Sequence, residues 1–111
     1  MALWKCSVCG YIHDGDEAPN VCPKCGSPKE VYQKLDDDKA ALIENSRITN
    51  DIHMELAALL EQVLGLAEEG QEINLDPGCY KIFTEAIEAS TVLRQRIKAE
   101  IQTHISKGKW G

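Results

Sequence analysis

The chain has 111 residues, with 18 acidic against 12 basic side chains and a formal net charge of −6. That balance argues against nucleic acid as a partner, and the longest apolar runs are far too short to span a membrane. Five cysteines in so short a chain, the first at residue 6 with no room before it for a charged region, an apolar stretch and a cleavage site, set the expectation of a reducing, cytoplasmic setting.

The first element in chain order is also the most informative. Cys6-Ser7-Val8-Cys9-Gly10 and Cys22-Pro23-Lys24-Cys25-Gly26 are two CxxCG segments, with twelve residues between Cys9 and Cys22. Two cysteines with two residues between them reach one ion only if the backbone curls tightly. A glycine after the second cysteine takes positive φ without a Cβ clash, so that backbone N–H groups turn back toward the sulfurs. Pro23 stiffens the second turn. Four soft sulfur donors select zinc or iron over harder cations, so Cys6, Cys9, Cys22 and Cys25 are read as one tetrahedral metal site. A pair of disulfides is the alternative, disfavoured in a reducing compartment. Trp4, Tyr11, Ile12 and Val31 supply the expected small core beside the loops. A domain this short buries too little apolar surface to fold unaided, so the metal contributes folding energy as well. His13, in a polar turn, is read as a solvated surface residue.

Taken continuously, Trp4-Lys5-Cys6-Ser7-Val8-Cys9-Gly10-Tyr11-Ile12-His13-Asp14-Gly15 followed by Ala18-Pro19-Asn20-Val21-Cys22-Pro23-Lys24-Cys25-Gly26 resembles the short rubredoxin-like domain of rubrerythrins over residues 3–35. The resemblance implies one iron per chain on the four cysteines, cycling between ferric and ferrous states as a one-electron carrier. Zinc is the alternative metal, since zinc ribbons share the cysteine spacing.

Composition shifts at Leu35-Asp36-Asp37-Asp38-Lys39. Residues 1–35 hold four of the five cysteines and three of the four prolines, with four basic and four acidic groups; residues 36–111 carry the other eight basic and fourteen acidic groups. The chain thus divides into a rubredoxin-like or zinc-ribbon-like β domain, 1–35, and a two-helix antiparallel hairpin, 36–111. Apolar residues recur at helical steps at Ile48, Ile52, Leu56, Leu59, Leu60, Val63 and Leu66, and again at Tyr80, Phe83, Ile87, Leu93, Ile97, Ile101 and Ile105. They predict helices over about 38–69 and 77–106. Gly70 suits the C′ position of the first, Asp76 the N-cap and Pro77 the N1 position of the second, with Leu75 and Tyr80 placed as a hydrophobic staple. Glu44–Asn50 is poor helix sequence and predicts a kink or a late start.

The apolar stripes are too wide for a lone hairpin to cover, which predicts a homodimer closing into a four-helix bundle. Such a bundle beside a rubredoxin-like domain invites comparison with whole rubrerythrins, whose family resemblance implies a di-iron site built on Glu-x-x-His motifs. None is present. The nearest substitutes are Glu85 with Glu88 and Glu100 with His104, with His53 as one more nitrogen. No catalytic residue is assigned. Cys79, in the first turn of the second helix, is read as a small buried apolar residue, the alternatives being a thiol made reactive by the helix dipole or a symmetric inter-subunit disulfide. Gly65 is read as a place of close helix approach. Trp110, near the end, either docks or frays.

The resulting expectation is a one-electron transfer protein with a redox protein as donor or acceptor, serving peroxide or oxygen detoxification or another redox exchange. The alternatives are a rubrerythrin-like peroxidase with an atypical di-iron site across the dimer, and a zinc-ribbon interaction module.

Overall fold

Three short strands carry the cysteine loops in the computed structural model, which describes residues 2–111. Strand β1, Ala2–Cys6, lies between β2, Ile12–Gly15, and β3, Tyr32–Lys34, both antiparallel to it. The register sets Trp4 opposite His13 and Lys34, and Cys6 opposite Tyr32. Side chains of a strand alternate between faces, so Trp4 and Cys6 share one face. Trp4 packs on the cluster of Cys6, Ala18, Cys22 and Tyr32 there and donates from its indole to the Gly15 carbonyl at 3.0 Å. Leu3 points the other way and is fully buried.

Two helices follow, α1 over Asp37–Ile73 and α2 over Pro77–Ser106. The chain divides into two compact units, Met1–Arg47 with Gly108–Gly111, and Ile48–Lys107. In the first, Asp36 caps α1, accepting from the Lys39 amide at 2.9 Å, and Asp37 and Asp38 place negative charge at the positive end of the helix. Ile43 is buried, and Arg47 reaches both the Asp14 carboxylate and the Gly111 carbonyl. The tail is therefore anchored. A Cβ on Gly111 would stand 2.5 Å from Ile12.

Glu44–Asn50 is continuous helix, without the expected break. Weak propensity is overridden by tertiary contacts on every turn: Ile43 buried, Arg47 ion-paired, Asn50 buried and bonded to His104. The C-terminus of α1 also differs from expectation. Gly70 remains inside the helix, and Asn74, at φ +49°, takes the left-handed position beyond its end. Gly70 has another purpose, because a Cβ there would lie 2.5–2.7 Å from the Phe83 ring. Close helix approach occurs here; at Gly65 nothing lies within 4 Å of a built Cβ. The start of α2 matches its sequence signals, with Asp76 extended and accepting from the Cys79 amide at 2.7 Å and Pro77 in the first turn. Leu75 stays 76% exposed.

Within the second unit, α1 turns Asn50, His53, Ala57, Leu60, Leu64, Ala67 and Gln71 toward α2, with Asn50 and Ala67 buried and the others shielded in part. Contacts along this seam include His104 Nδ1 to Asn50 Oδ1 at 2.6 Å, Arg94 Nε to the Ala57 carbonyl at 3.3 Å, and Gln71 Nε2 to Thr84 Oγ1 at 3.0 Å. One residue round the helix, Ile52, Leu56, Leu59, Val63 and Leu66 remain 44–70% exposed. The more apolar stripe of α1 thus faces away from α2.

Candidate metal centre

Each cysteine loop is a backbone turn closed by its glycine. The Gly10 amide donates to the Cys6 carbonyl and the Gly26 amide to the Cys22 carbonyl, both at 2.9 Å. Gly10 and Gly26 have φ of +82° and +76°, a region costly for residues with a Cβ. The two turns repeat one construction. Cys6 N donates to the Tyr11 carbonyl and Cys22 N to the Ser27 carbonyl, again at 2.9 Å. Ser7 ties the first loop to the 3-10 turn Lys29–Val31, its amide and hydroxyl both reaching the Val31 carbonyl, at 3.2 and 2.6 Å. Lys29 N to the Asn20 carbonyl at 3.1 Å braces the second.

This scaffold brings Cys6, Cys9, Cys22 and Cys25 together, one Sγ from each, all within 4.8 Å of one another. Cys6 and Cys25 sulfurs are 3.7 Å apart, Cys9 and Cys22 sulfurs 3.6 Å. Both separations far exceed a disulfide bond of about 2.05 Å. They match instead the edge of a tetrahedron with metal–sulfur bonds of about 2.3 Å, roughly 3.8 Å. Donor set and spacing both fit a tetrahedral thiophilic ion. Cys6 and Cys22 are buried, Cys9 partly so, and Cys25 exposed, so the site lies with one side toward solvent.

The thiols differ in electrostatic setting. Burial pushes the Cys22 thiol up, but Tyr32 and the Cys25 and Lys24 amides outweigh it and bring the group down to about 6. At Cys9 the Tyr11 amide pulls down, while burial and the three neighbouring thiols carry it to about 11. Cys25 is lowered by the Ser27 hydroxyl, 3.2 Å away, and by the Ser27 amide. The nearby backbone amides thus favour the thiolate form at Cys22 and Cys25, which suits a site bearing several thiolates.

The other candidates fall elsewhere. His13 lies across from Trp4, its ring over the Gly15 turn, where a Cβ would meet Nε2 at 2.7 Å. Glu100 and His104 do meet, His104 Nε2 standing 3.2 Å from Glu100 Oε1, and the His53 and His104 rings are edge-on at 6.3 Å. Yet both His104 nitrogens are engaged, one by Asn50 and one by Glu100. Among the described residues the four cysteines are the one group of three or more His, Cys, Asp or Glu with its ligand atoms brought together. At Cys79 the Asp76 carboxylate beside the thiol raises its pKa, opposite to the lowering that the helix dipole alone would give. Leu3 and Tyr32 complete the buried part of the small domain and were missing from the sequence reading. The pairing of Cys6 with β3 is what brings Tyr32 in, a long-range contact with no local signal.

The family model for the rubredoxin-like domain of rubrerythrin matches residues 4–33. Reverse rubrerythrin-1 of Clostridium acetobutylicum is 38% identical over 48 residues, 43% of this chain and 26% of that protein. Rubrerythrin of Nitratidesulfovibrio vulgaris is 47% identical over 32 residues, 29% of this chain and 17% of that one. Rubredoxin of Megasphaera elsdenii is 36% identical over a 52-residue alignment covering 32% of this chain and all of the rubredoxin. The chain therefore spans about a quarter or less of the two rubrerythrins named here, and the shared part is the cysteine domain. No solved structure matches the chain.

Proposed function

Since the chain belongs, through residues 4–33, to the rubredoxin-like domains of the rubrerythrin type, we propose that it is a one-electron transfer protein carrying a single iron on Cys6, Cys9, Cys22 and Cys25. An iron ion in that position supplies a ferric–ferrous couple. The observation that carries the reading is the set of four sulfurs at tetrahedral spacing inside two glycine-closed turns. The turns hold the ligands in one geometry whatever the charge on the centre, so little rearrangement opposes electron transfer. The amides of Tyr11, Lys24, Cys25 and Ser27 offset the added negative charge of the reduced state, while burial of Cys6 and Cys22 opposes it. On the solvent side, Cys25 lies exposed and Val8 and Val21 are 64% and 59% exposed. These valines give a redox protein an apolar place to dock.

The wider role in this reading is electron exchange between a reductase and an acceptor in peroxide or oxygen detoxification, with the hairpin joining two chains as a homodimer. Support for the dimer is the exposed Ile52–Leu66 stripe. Support for a carrier rather than a peroxidase is that His104 is already engaged on both nitrogens.

The test is a visible absorption spectrum with metal analysis on the same sample, from anaerobic, iron-rich growth. One iron per chain with sulfur-to-ferric charge-transfer bands that bleach on reduction is expected. A colourless protein with one zinc per chain overturns the proposal.

A further inference from the structure

Tyr32 is buried, 8% exposed, in the cluster formed with Cys6, Ala18 and Cys22. Its hydroxyl is shut off from solvent and has no hydrogen-bond partner. Leaving a buried hydroxyl without a partner is costly, and a phenylalanine would fill the same volume without that cost. A hydroxyl hydrogen is free to rotate toward whatever acceptor the surroundings offer. Here the surroundings are sulfur. Strand pairing sets Tyr32 opposite Cys6, and Cys22 is buried in the same cluster. A neutral thiol is a weak acceptor, whereas a metal-bound thiolate carries negative charge and accepts strongly.

We propose that Tyr32 is a positioning residue that donates its hydroxyl hydrogen bond to one of the two buried thiolates it packs against, Cys6 or Cys22, in the metal-loaded centre and thereby sets its reduction potential. This rests on the reading of the cysteines as a redox iron site. Reduction places one more negative charge on the metal and its sulfurs. A donor aimed at one of those sulfurs stabilises the reduced state more than the oxidised one, and so raises the potential. The backbone amides act in the same sense, but Tyr32 differs from them in being a side chain on β3, outside both cysteine loops.

Two measurements test it on the full chain. In iron-loaded Tyr32→Phe, the potential read by spectroelectrochemistry is expected to shift to lower values with the near-ultraviolet circular dichroism of the fold retained. A merely structural role predicts the reverse sign, because a loosened site admits water, which favours the more highly charged reduced state. An unchanged or raised potential overturns the proposal. In the wild-type chain loaded with cadmium-113, the Tyr32 hydroxyl proton is expected as a slowly exchanging resonance with scalar coupling to the metal. A rapidly exchanging, uncoupled hydroxyl overturns the contact whether or not Tyr32→Phe folds. Because the cadmium measurement does not depend on iron, a chain that takes only zinc in the preceding experiment refutes the redox reading while leaving the contact to be decided separately.

Discussion

Both terminal nitrogens of the Arg47 guanidinium reach the Asp14 carboxylate, at 2.5 and 2.7 Å, while Arg47 Nε donates to the Gly111 carbonyl at 2.7 Å. One side chain on α1 thus joins β2 to the last residue of the chain. The carboxyl of Asp14 is held below its ordinary value of 3.8 first by these hydrogen bonds, against the effect of burial. A carboxylate depressed in the folded state contributes stability that is complete above its unfolded pKa and is lost as pH falls through the folded one. Asp14→Asn is therefore expected to cost about 1 kcal/mol at pH 7, near the top of the range for partly exposed pairs because the geometry is two-pronged. The gap to wild type holds from neutral pH down to about 5 and narrows as pH falls through 3.8. Urea denaturation of both proteins, followed through the Trp4 near-ultraviolet signal, measures it; a gap that stays constant at pH 3.5 refutes the assignment.

The two glycines of α1 predict opposite responses to alanine. At Gly65 a Cβ meets nothing within 4 Å, so Gly65→Ala gains helix propensity alone, about 0.5–1 kcal/mol of stability. At Gly70 a Cβ would stand 2.5 Å from Phe83 Cε2. Gly70→Ala forces the ring or the helix aside, at about 1–3 kcal/mol. Thermal unfolding followed at a helical wavelength separates the two. Stabilisation by both substitutions would show that α1 and α2 do not meet at Phe83.

Much of this molecule is legible in its sequence. The cysteine spacing and its glycines announce the metal site, because a reach constraint between neighbours in sequence is local. The cap at Asp76 and the proline after it are local too, and α2 begins where they say. What escaped is nonlocal. Gly70 carries the right residue type for a helix end, yet the helix passes through it because Phe83 needs the space and Asn74 can adopt positive φ instead. Glu44–Asn50 reads as a weak helix until Arg47 finds Asp14 and Asn50 finds His104. No periodicity in one segment reveals a partner 33 or 54 residues away.

Removing the metal is expected to separate the two parts of the fold. Unit one is expected to keep its sheet only if four thiolates share an ion, since Leu3, Cys6, Ala18, Cys22, Tyr32 and Ile43 are its only buried apolar residues among those described. The hairpin contains none of those ligands. Anaerobic chelation should abolish the near-ultraviolet signal of Trp4 and leave the helical far-ultraviolet signal largely intact, and Cys22→Ser should do the same without chelator. Loss of both signals together would show that the hairpin depends on the metal.

The apolar side of the hairpin gives the last prediction. Ile52, Leu56, Leu59, Val63 and Leu66 follow one another at four- and three-residue steps and are 44–70% exposed, while Ile82 and Leu93 on α2 are 64% and 44% exposed. On an antiparallel pair, residues one step before the seam fall on the same side of both helices, and here those residues are Ile52, Leu56, Leu59 and Val63 before His53, Ala57, Leu60 and Leu64, and Ile82 and Leu93 before Phe83 and Arg94. A continuous apolar face of about 20 Å along α1 is more than a hairpin leaves to water without a partner. A second copy presents the same face, and a two-fold pairing would bury both as a four-helix bundle. Light scattering is expected to give twice the chain mass at micromolar concentration. Val63→Glu, within the stripe and away from the α2 seam, is expected to yield a monomer that keeps its four-cysteine site and loses helical stability. A wild-type monomer would remove the dimer from the proposed function, and a dimer unaffected by Val63→Glu would place its interface on another face.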